Sequence, residues 1–263
     1  MVVRGKLYLV GVGLAPDLIT LRGLGIARRA DKLLVDSYTS ATPEGLEGVE
    51  KVIGRPLEPV GRSGLEGKAE VIMEYLERGL SVALLVVGDP LVATTHVSLL
   101  LDARRRGFEC EVVPAPGILP NALTLSGLMV YKMGKVATVT YPVDGKLSFY
   151  PYDVVKDNDS RNLHTVLLLE MDAERGVMMS VSDAVRLLEK MEEVRGEGVF
   201  PPTRKIIAVS ALATSKQRIC YAPLKELRRY AYEYGPHTLV VPSPKLHFVE
   251  EDALKILAGE CGE

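Results

Sequence analysis

Over residues 1–113, short apolar runs alternate with stretches of helical period, and this alternation restricts the fold more than any other feature of the chain. Residues 6–12 (KLYLVGV) are β-rich and stop at Gly11 and Gly13, as a buried strand does when it ends in a turn. Thr20 supplies an N-cap for a helix over 21–30, with Leu21, Leu24 and Ala27 on the apolar side and arginines opposite. Residues 32–38 (KLLVDSY) predict a second strand. Ala69, Ile72, Met73 and Leu76 follow the i, i+3, i+4, i+7 rule for one buried helix face, which Gly79 ends as a left-handed cap. Residues 82–87 lack polar alternation, so they predict a strand buried on both faces. A helix over 95–106, closed by Gly107, and a strand over 108–113 complete the pattern. Strands alternating with helices of this length predict an α/β fold whose mostly parallel sheet is covered on both sides.

Pro114-Ala115-Pro116-Gly117 can carry neither ladder nor helix, which places a domain boundary there: residues 1–114 as an N-terminal α/β domain and 115–263 as a C-terminal one. The second half offers strands over 136–141, 165–171, 205–210 and 238–242, and a helix over about 182–194. Ser180 and Asp183 suggest a capping box, and Val181, Ala184, Val185, Leu188 and Met191 form that helix's buried stripe. Residues 143–162 are polar and aromatic. They read as an exposed loop covering a site, with Phe149, Tyr150 and Tyr152 either anchoring a partner or packing locally.

With 263 residues, 47% apolar and 25% charged, the chain can bury one large core or two modest ones. A formal net charge of -2 provides no global positive field to gather phosphates, which argues against nucleic acid as a partner. The longest apolar run, 82–87, is far below the roughly 20 residues that cross a bilayer, so no membrane association is expected. Met1-Val2-Val3-Arg4-Gly5 runs directly into strand-like sequence, unlike a signal peptide. Cys110, Cys220 and Cys261 lie far apart without CxxC spacing, and the simplest expected setting is a reducing cytoplasm.

Three segments bear on chemistry. Gly11-Val12-Gly13 after a strand invites a dinucleotide reading, but the third glycine of GxGxxG falls on Pro16 and the helix starts late. A tight turn or a small-molecule contact remains. Gly88-Asp89-Pro90-Leu91-Val92-Ala93-Thr94-Thr95 follows the most apolar strand, where ligands of open parallel sheets bind. Asp89 is therefore the leading ligand contact; the plain alternative is an Asp-Pro turn ahead of a helix capped by Thr94 or Thr95, and both can hold together. Pro114-Ala115-Pro116-Gly117-Ile118 reads first as a linker, although Gly117 would let backbone press against a flat ring such as adenine. The four histidines show no metal-ligand spacing, and neither Ser63 nor Ser126 sits in a GxSxG elbow.

Taken in order, LYLVGVGL, DLITLRGL, the Tyr38-Thr39-Ser40 triplet, VGDPLVATTH, YKMGK, LHTVLLL, RGEGVF and PKLHFVEE resemble the diphthine synthase family of the tetrapyrrole-methylase-like superfamily, across nearly the whole chain. GDPLVATTH is close to diagnostic. The resemblance implies two α/β domains of the class III methyltransferase type, S-adenosyl-L-methionine in the cleft between them, and usually a homodimer. Carried over position by position, it implies cofactor contacts from Leu14, Asp89, Val92, Gly117 and Ile118, and from Leu169, Leu212 and His237 at second-domain strand ends. The family has serine where Gly117 stands, so a side-chain bond there is lost while backbone contact survives. The implied reaction methylates the amino group of a modified histidine on translation elongation factor 2, without a metal. The catalytic proton acceptor is not identified by the resemblance. Two other readings are a sibling methyltransferase acting on a tetrapyrrole or ribosomal RNA, and a binding module without turnover.

Overall fold

Continuous apolar strands flanked by amphipathic helices can bury both faces of a sheet only by placing helices on each side, and the first part of the chain does so in the computed structural model. The structure describes residues 5–38, 41–65, 69–259 and 261, so Thr39 and Ser40 of the Tyr38-Thr39-Ser40 triplet lie outside the described residues. Two compact units form: residues 1–118 with 172–176, and residues 119–171 with 177–263.

In the first unit the elements run β1 (Lys6–Gly13), α1 (Leu21–Arg29), β2 (Lys32–Asp36), α2 (Gly45–Ile53), β3 (Glu58–Val60), α3 (Arg62–Leu65), α4 (Glu70–Glu77), β4 (Ser81–Val87), α5 (Val97–Arg105) and β5 (Glu109–Val113). The sheet has the order β3-β2-β4-β1-β5, and each pairing is parallel. Alternate strand residues feed two cores. Leu7, Leu9 and Leu84 meet Ile72, Met73 and Leu76 of α4 on one face. Val10, Val12, Ala83 and Leu85 meet Ile26 of α1 and Val49 and Ile53 of α2 on the other. Connections from β1 and β4 leave in opposite directions along the sheet, the topology that opens a crevice at the carboxyl ends of these strands.

Two local expectations for this unit are corrected. Leu21 does not face the core but is 90% exposed; α1 buries Gly23, Ile26 and Ala27 instead. The reason is close approach: a Cβ on Gly23 would stand 2.9 Å from Val10 Cγ1, so the helix turns its smallest residue onto the strand. The helix after the Asp89 segment has His96 as its N-cap residue, with no side-chain cap bond, rather than Thr94 or Thr95.

The second unit contains α6 (Ile118–Thr124), β6 (Ala137–Val139), α7 (Tyr150–Ser160), β7 (Thr165–Leu169), β8 (Met171–Asp172), β9 (Val177–Met178), α8 (Val181–Arg195), β10 (Lys205–Ser210), β11 (Arg218–Pro223), α9 (Leu224–Leu227), β12 (His237–Val241) and α10 (Phe248–Leu257), with a few residues of α6 and β8 counted in the first unit. Its main sheet, β11-β10-β12-β7-β6, is antiparallel except for β6 with β7. The stripe Val181, Ala184, Val185, Leu188 and Met191 is buried as its spacing demands. Ser180 caps that helix by accepting from Asp183 N at 3.0 Å, but Asp183 accepts from the Ser180 hydroxyl rather than its backbone, so the box is incomplete.

Residues 143–162 are a loop only at their ends. Tyr150–Ser160 is helix α7, with Pro151 at its first turn and Tyr152, Val154, Val155 and Asn158 buried. Tyr152 packs edge-on against Phe200 and donates to Glu192 at 3.0 Å, so its ring is core and not a docking anchor. The charged residues of its outer face, Asp153, Lys156 and Asp157, hide this in the sequence. Of the three cysteines, Cys220 and Cys261 form a disulfide and Cys110 is free. Among the described residues no helix is long and apolar enough to cross a membrane.

Candidate functional site

The carboxyl edge of the parallel sheet gathers three loops. Gly13 N donates to Gly88 O at 3.1 Å and Gly88 N returns a bond to Gly13 O at 2.8 Å, tying the ends of β1 and β4; both glycines have positive φ, 87° and 79°. Gly11 also has no room for a side chain: a Cβ there would lie 2.7 Å from Gly88 O and 2.7 Å from Ala115 Cβ. The glycine turn is thus a structural close approach that also draws the loop after β5 against those after β1 and β4.

Asp89 sits at this junction, partly buried. Its Oδ1 accepts from Leu91 N at 3.0 Å, forming the Asp-Pro turn, and its Oδ2 accepts from Ala115 N at 3.4 Å, joining the neighbouring loop. A carboxylate offers about four acceptor positions, so these two bonds leave room for donors from a ligand. A Cβ on Gly117 would stand 3.2 Å from Asp89 Cβ and 3.9 Å from Val92 Cβ, and one on Gly88 would stand 3.9 Å from Leu14 Cδ2. Leu14, Asp89, Val92 and Gly117 are therefore brought together from three loops, with Ile118 next in the chain. Below them His96 Nδ1 lies 3.3 Å from Pro90 O, a bond only the ring nitrogen can donate, and it holds the loop from its buried side.

In the second unit, Leu169, Leu212 and His237 lie at or just beyond the ends of neighbouring strands. His237 opens β12 and pairs with Ser210, the last residue of β10, while Leu168 pairs with Thr238 and so carries Leu169 alongside. Ala211, at φ 47°, donates its N–H to Pro236 O at 3.0 Å and turns the chain so that Leu212 follows. His237 Nδ1 is 2.7 Å from Ser210 Oγ, and burial pushes the imidazole pKa down. The partner Ser210 escaped the sequence reading; it does not lie near His237 in the chain, and no spacing rule connects them.

Each of the four histidines is hydrogen-bonded within the protein: His96 to Pro90, His164 to Ser243 and Glu250, His237 to Ser210, and His247 as the cap of α10. Among the described residues no group of three or more His, Cys, Asp or Glu side chains is placed to hold a metal ion.

The donor set and the bare backbone at Gly117 fit an adenosyl ligand: a carboxylate with spare acceptor capacity for hydroxyl or amino groups, apolar Leu14 and Val92, and a glycine without a side chain between ring and backbone. The model of the Tetrapyrrole (Corrin/Porphyrin) Methylases matches residues 6–228. Diphthine synthase from Sulfurisphaera tokodaii is 33% identical over 95% of this chain and 98% of its own length. This chain belongs to the diphthine synthase family of tetrapyrrole methylases. The family member from Methanococcus maripaludis is 34% identical over 95% of this chain and 98% of its own. A crystal structure titled diphthine synthase superposes with a TM-score of 0.85 at 30% identity, covering 96% of each chain. As a member of this family, the chain is an S-adenosylmethionine-dependent methyltransferase.

Proposed function

We propose that this chain acts in diphthamide biosynthesis, methylating the amino group of the modified histidine of translation elongation factor 2. The observation that carries the reading is the convergence of Leu14, Asp89, Val92 and Gly117 at the carboxyl ends of β1, β4 and β5, in a chain that aligns over 95% of its length with curated diphthine synthases. We take these residues and Ile118 as cofactor contacts, and Leu169, Leu212 and His237 likewise. Asp89 accepts from the nucleoside, Gly117 offers bare backbone to the ring, and the leucines and Val92 keep water away.

When bound, S-adenosylmethionine supplies a methyl carbon already activated by a positive sulfur. The protein's task is then positional: to hold a neutral amine in line, at about 3 Å, for displacement. An apolar surround favours the neutral amine over its ammonium form.

We take the working unit to be a homodimer in the cytoplasm. Val97 and Leu101, one turn apart on α5 and half-exposed, support a covered face, which light scattering in solution tests. The Cys220–Cys261 bridge sets a condition on the compartment, because intracellular proteins retain disulfides chiefly in hyperthermophiles.

The deciding experiment follows labelled methyl from S-adenosylmethionine onto archaeal elongation factor 2 carrying the precursor histidine. Labelling of the factor is the expected result. Transfer to a tetrapyrrole or ribosomal RNA alone would move the chain to a sibling activity, and binding without transfer would make it a module.

A further inference from the structure

The second unit contains a buried polar relay that the motifs do not mark. Tyr230 OH lies 2.9 Å from Ser210 Oγ, which lies 2.7 Å from His237 Nδ1, and all three side chains are buried. Nε2 of His237 makes no hydrogen bond to any described residue. The three residues come from the end of β10, the segment after α9 and the start of β12, so only the folded sheet assembles them.

We propose that Tyr230 and Ser210 are positioning residues that fix the ring and the tautomer of His237, so that its Nε2–H is presented as a hydrogen-bond donor to an acceptor atom of the bound nucleoside. The proposal rests on His237 lying at the cofactor site.

The Ser210 hydroxyl has one proton and two neighbours, so the relay has two polarities. In one, Tyr230 donates to Ser210 and Ser210 donates to Nδ1; in the other, Nδ1–H donates to Ser210 and Ser210 to the phenol. A phenol is a better donor than an alkyl hydroxyl, and an sp² imidazole nitrogen is a better acceptor than a phenol oxygen. The first polarity therefore pairs the strongest donor with the strongest acceptor. Burial pushes the Tyr230 pKa up, which keeps its proton available, and pushes that of His237 down, which keeps the imidazole neutral. A neutral ring that accepts at Nδ1 carries its one proton on Nε2. The geometry also locks the ring plane, since Ser210 and His237 are paired directly across β10 and β12.

The test is nitrogen NMR of histidine-labelled protein, with His237 assigned by loss of its signals in His237→Gln, combined with calorimetric titration of S-adenosylhomocysteine. The expected result is an Nε2–H tautomer in the native chain, a mixture of tautomers in Ser210→Ala, and a shift of the Nε2 resonance when S-adenosylhomocysteine binds. Affinity should fall about tenfold in Ser210→Ala and about threefold in Tyr230→Phe, the sizes expected for losing one oriented bond and for loosening one. Should Ser210→Ala fail to fold, Tyr230→Phe carries the same measurement, because it removes the terminal donor without changing shape. An Nδ1–H tautomer in the native chain, or an unchanged ratio in both variants, overturns the relay even if the ligand binds. Binding with an unmoved Nε2 resonance overturns the donor role and leaves the methyltransferase reading intact. Failure of the native chain to bind S-adenosylhomocysteine overturns both.

Discussion

His96 Nε2 lies 3.4 Å from Asp36 Oδ2, with His96 2% exposed and Asp36 wholly buried. The two residues stand at the ends of different elements: Asp36 closes β2 and accepts from Tyr38 N at 2.9 Å, while His96 holds Pro90 O beneath the Asp89 loop. A carbonyl can only accept, so the bond to Pro90 O takes a proton from Nδ1, and buried Nε2 has no hydrogen-bond partner among the described residues. Burial pushes the His96 pKa below its ordinary value although Asp36 pulls it upward. A His with a depressed folded-state pKa contributes stability above about pH 6.5 and loses it as the pH falls.

Replacing His96 by Ala should release Pro90 O and leave a cavity against Asp36. The expected loss is about 2–4 kcal/mol of unfolding free energy, from cavity and broken hydrogen bond together. Urea denaturation checks it; a loss under about 0.5 kcal/mol, the level of an ordinary surface change, would show that the pair does not support the loop.

Glu250 is the second buried centre. It accepts from Met129 N, His247 N, Lys132 Nζ and His164 Nε2 at 2.8–2.9 Å, and has no solvent exposure. His164 Nδ1 accepts from Ser243 N at 2.8 Å, so the neutral ring donates from Nε2. Glu250→Ala should cost about 3–5 kcal/mol, since it strands four donors, and the measurement is again a denaturant midpoint.

The same cluster predicts acid sensitivity. Burial alone would raise the Glu250 pKa, but Lys132 and the N–H donors override it and hold the carboxyl at about 2. That depressed value contributes about 3 kcal/mol of stability, full above about pH 4.5 and lost as the pH falls toward 2. His164, pushed down by burial, adds a loss that begins near pH 6.5. Native stability should therefore decline from about pH 6.5 downward, and Glu250→Ala should flatten the lower part of that decline. A parallel pH profile in the variant would remove Glu250 from the account.

At the cofactor site, Asp89→Ala should weaken S-adenosylhomocysteine binding by about tenfold or more with an unchanged far-ultraviolet spectrum, because the residue lies on a loop. Gly117→Leu should have a similar effect by filling the slot beside Asp89 and Val92. Calorimetry reads both, and native affinity in either variant removes that residue from the site.

Reduction should destabilise the chain. The Cys220–Cys261 bridge spans 41 residues, and the chain-entropy model assigns a loop of that size about 4 kcal/mol. Thiol titration of denatured protein should count one cysteine before reduction and three after it. Three thiols without reductant would show that the bridge is absent.

Local pattern determined much of this protein. Period and cap residues marked β1, α4, β4 and α8 because burying one face of a helix or both faces of a strand requires that spacing of apolar side chains. The position of Asp89 after the most apolar strand pointed to a ligand because parallel strands share one carboxyl edge. Helix α7 was hidden, since its identity rests on Tyr152 meeting Phe200 and Glu192, some 40 residues away in the chain. The pairs Asp36 with His96, His164 with Glu250, Ser210 with His237 and Cys220 with Cys261 were likewise decided only by tertiary structure. Each joins residues far apart in sequence, and hydrogen bonds and bridges of a few ångströms depend on where whole strands and helices come to rest, which no short stretch of chain encodes.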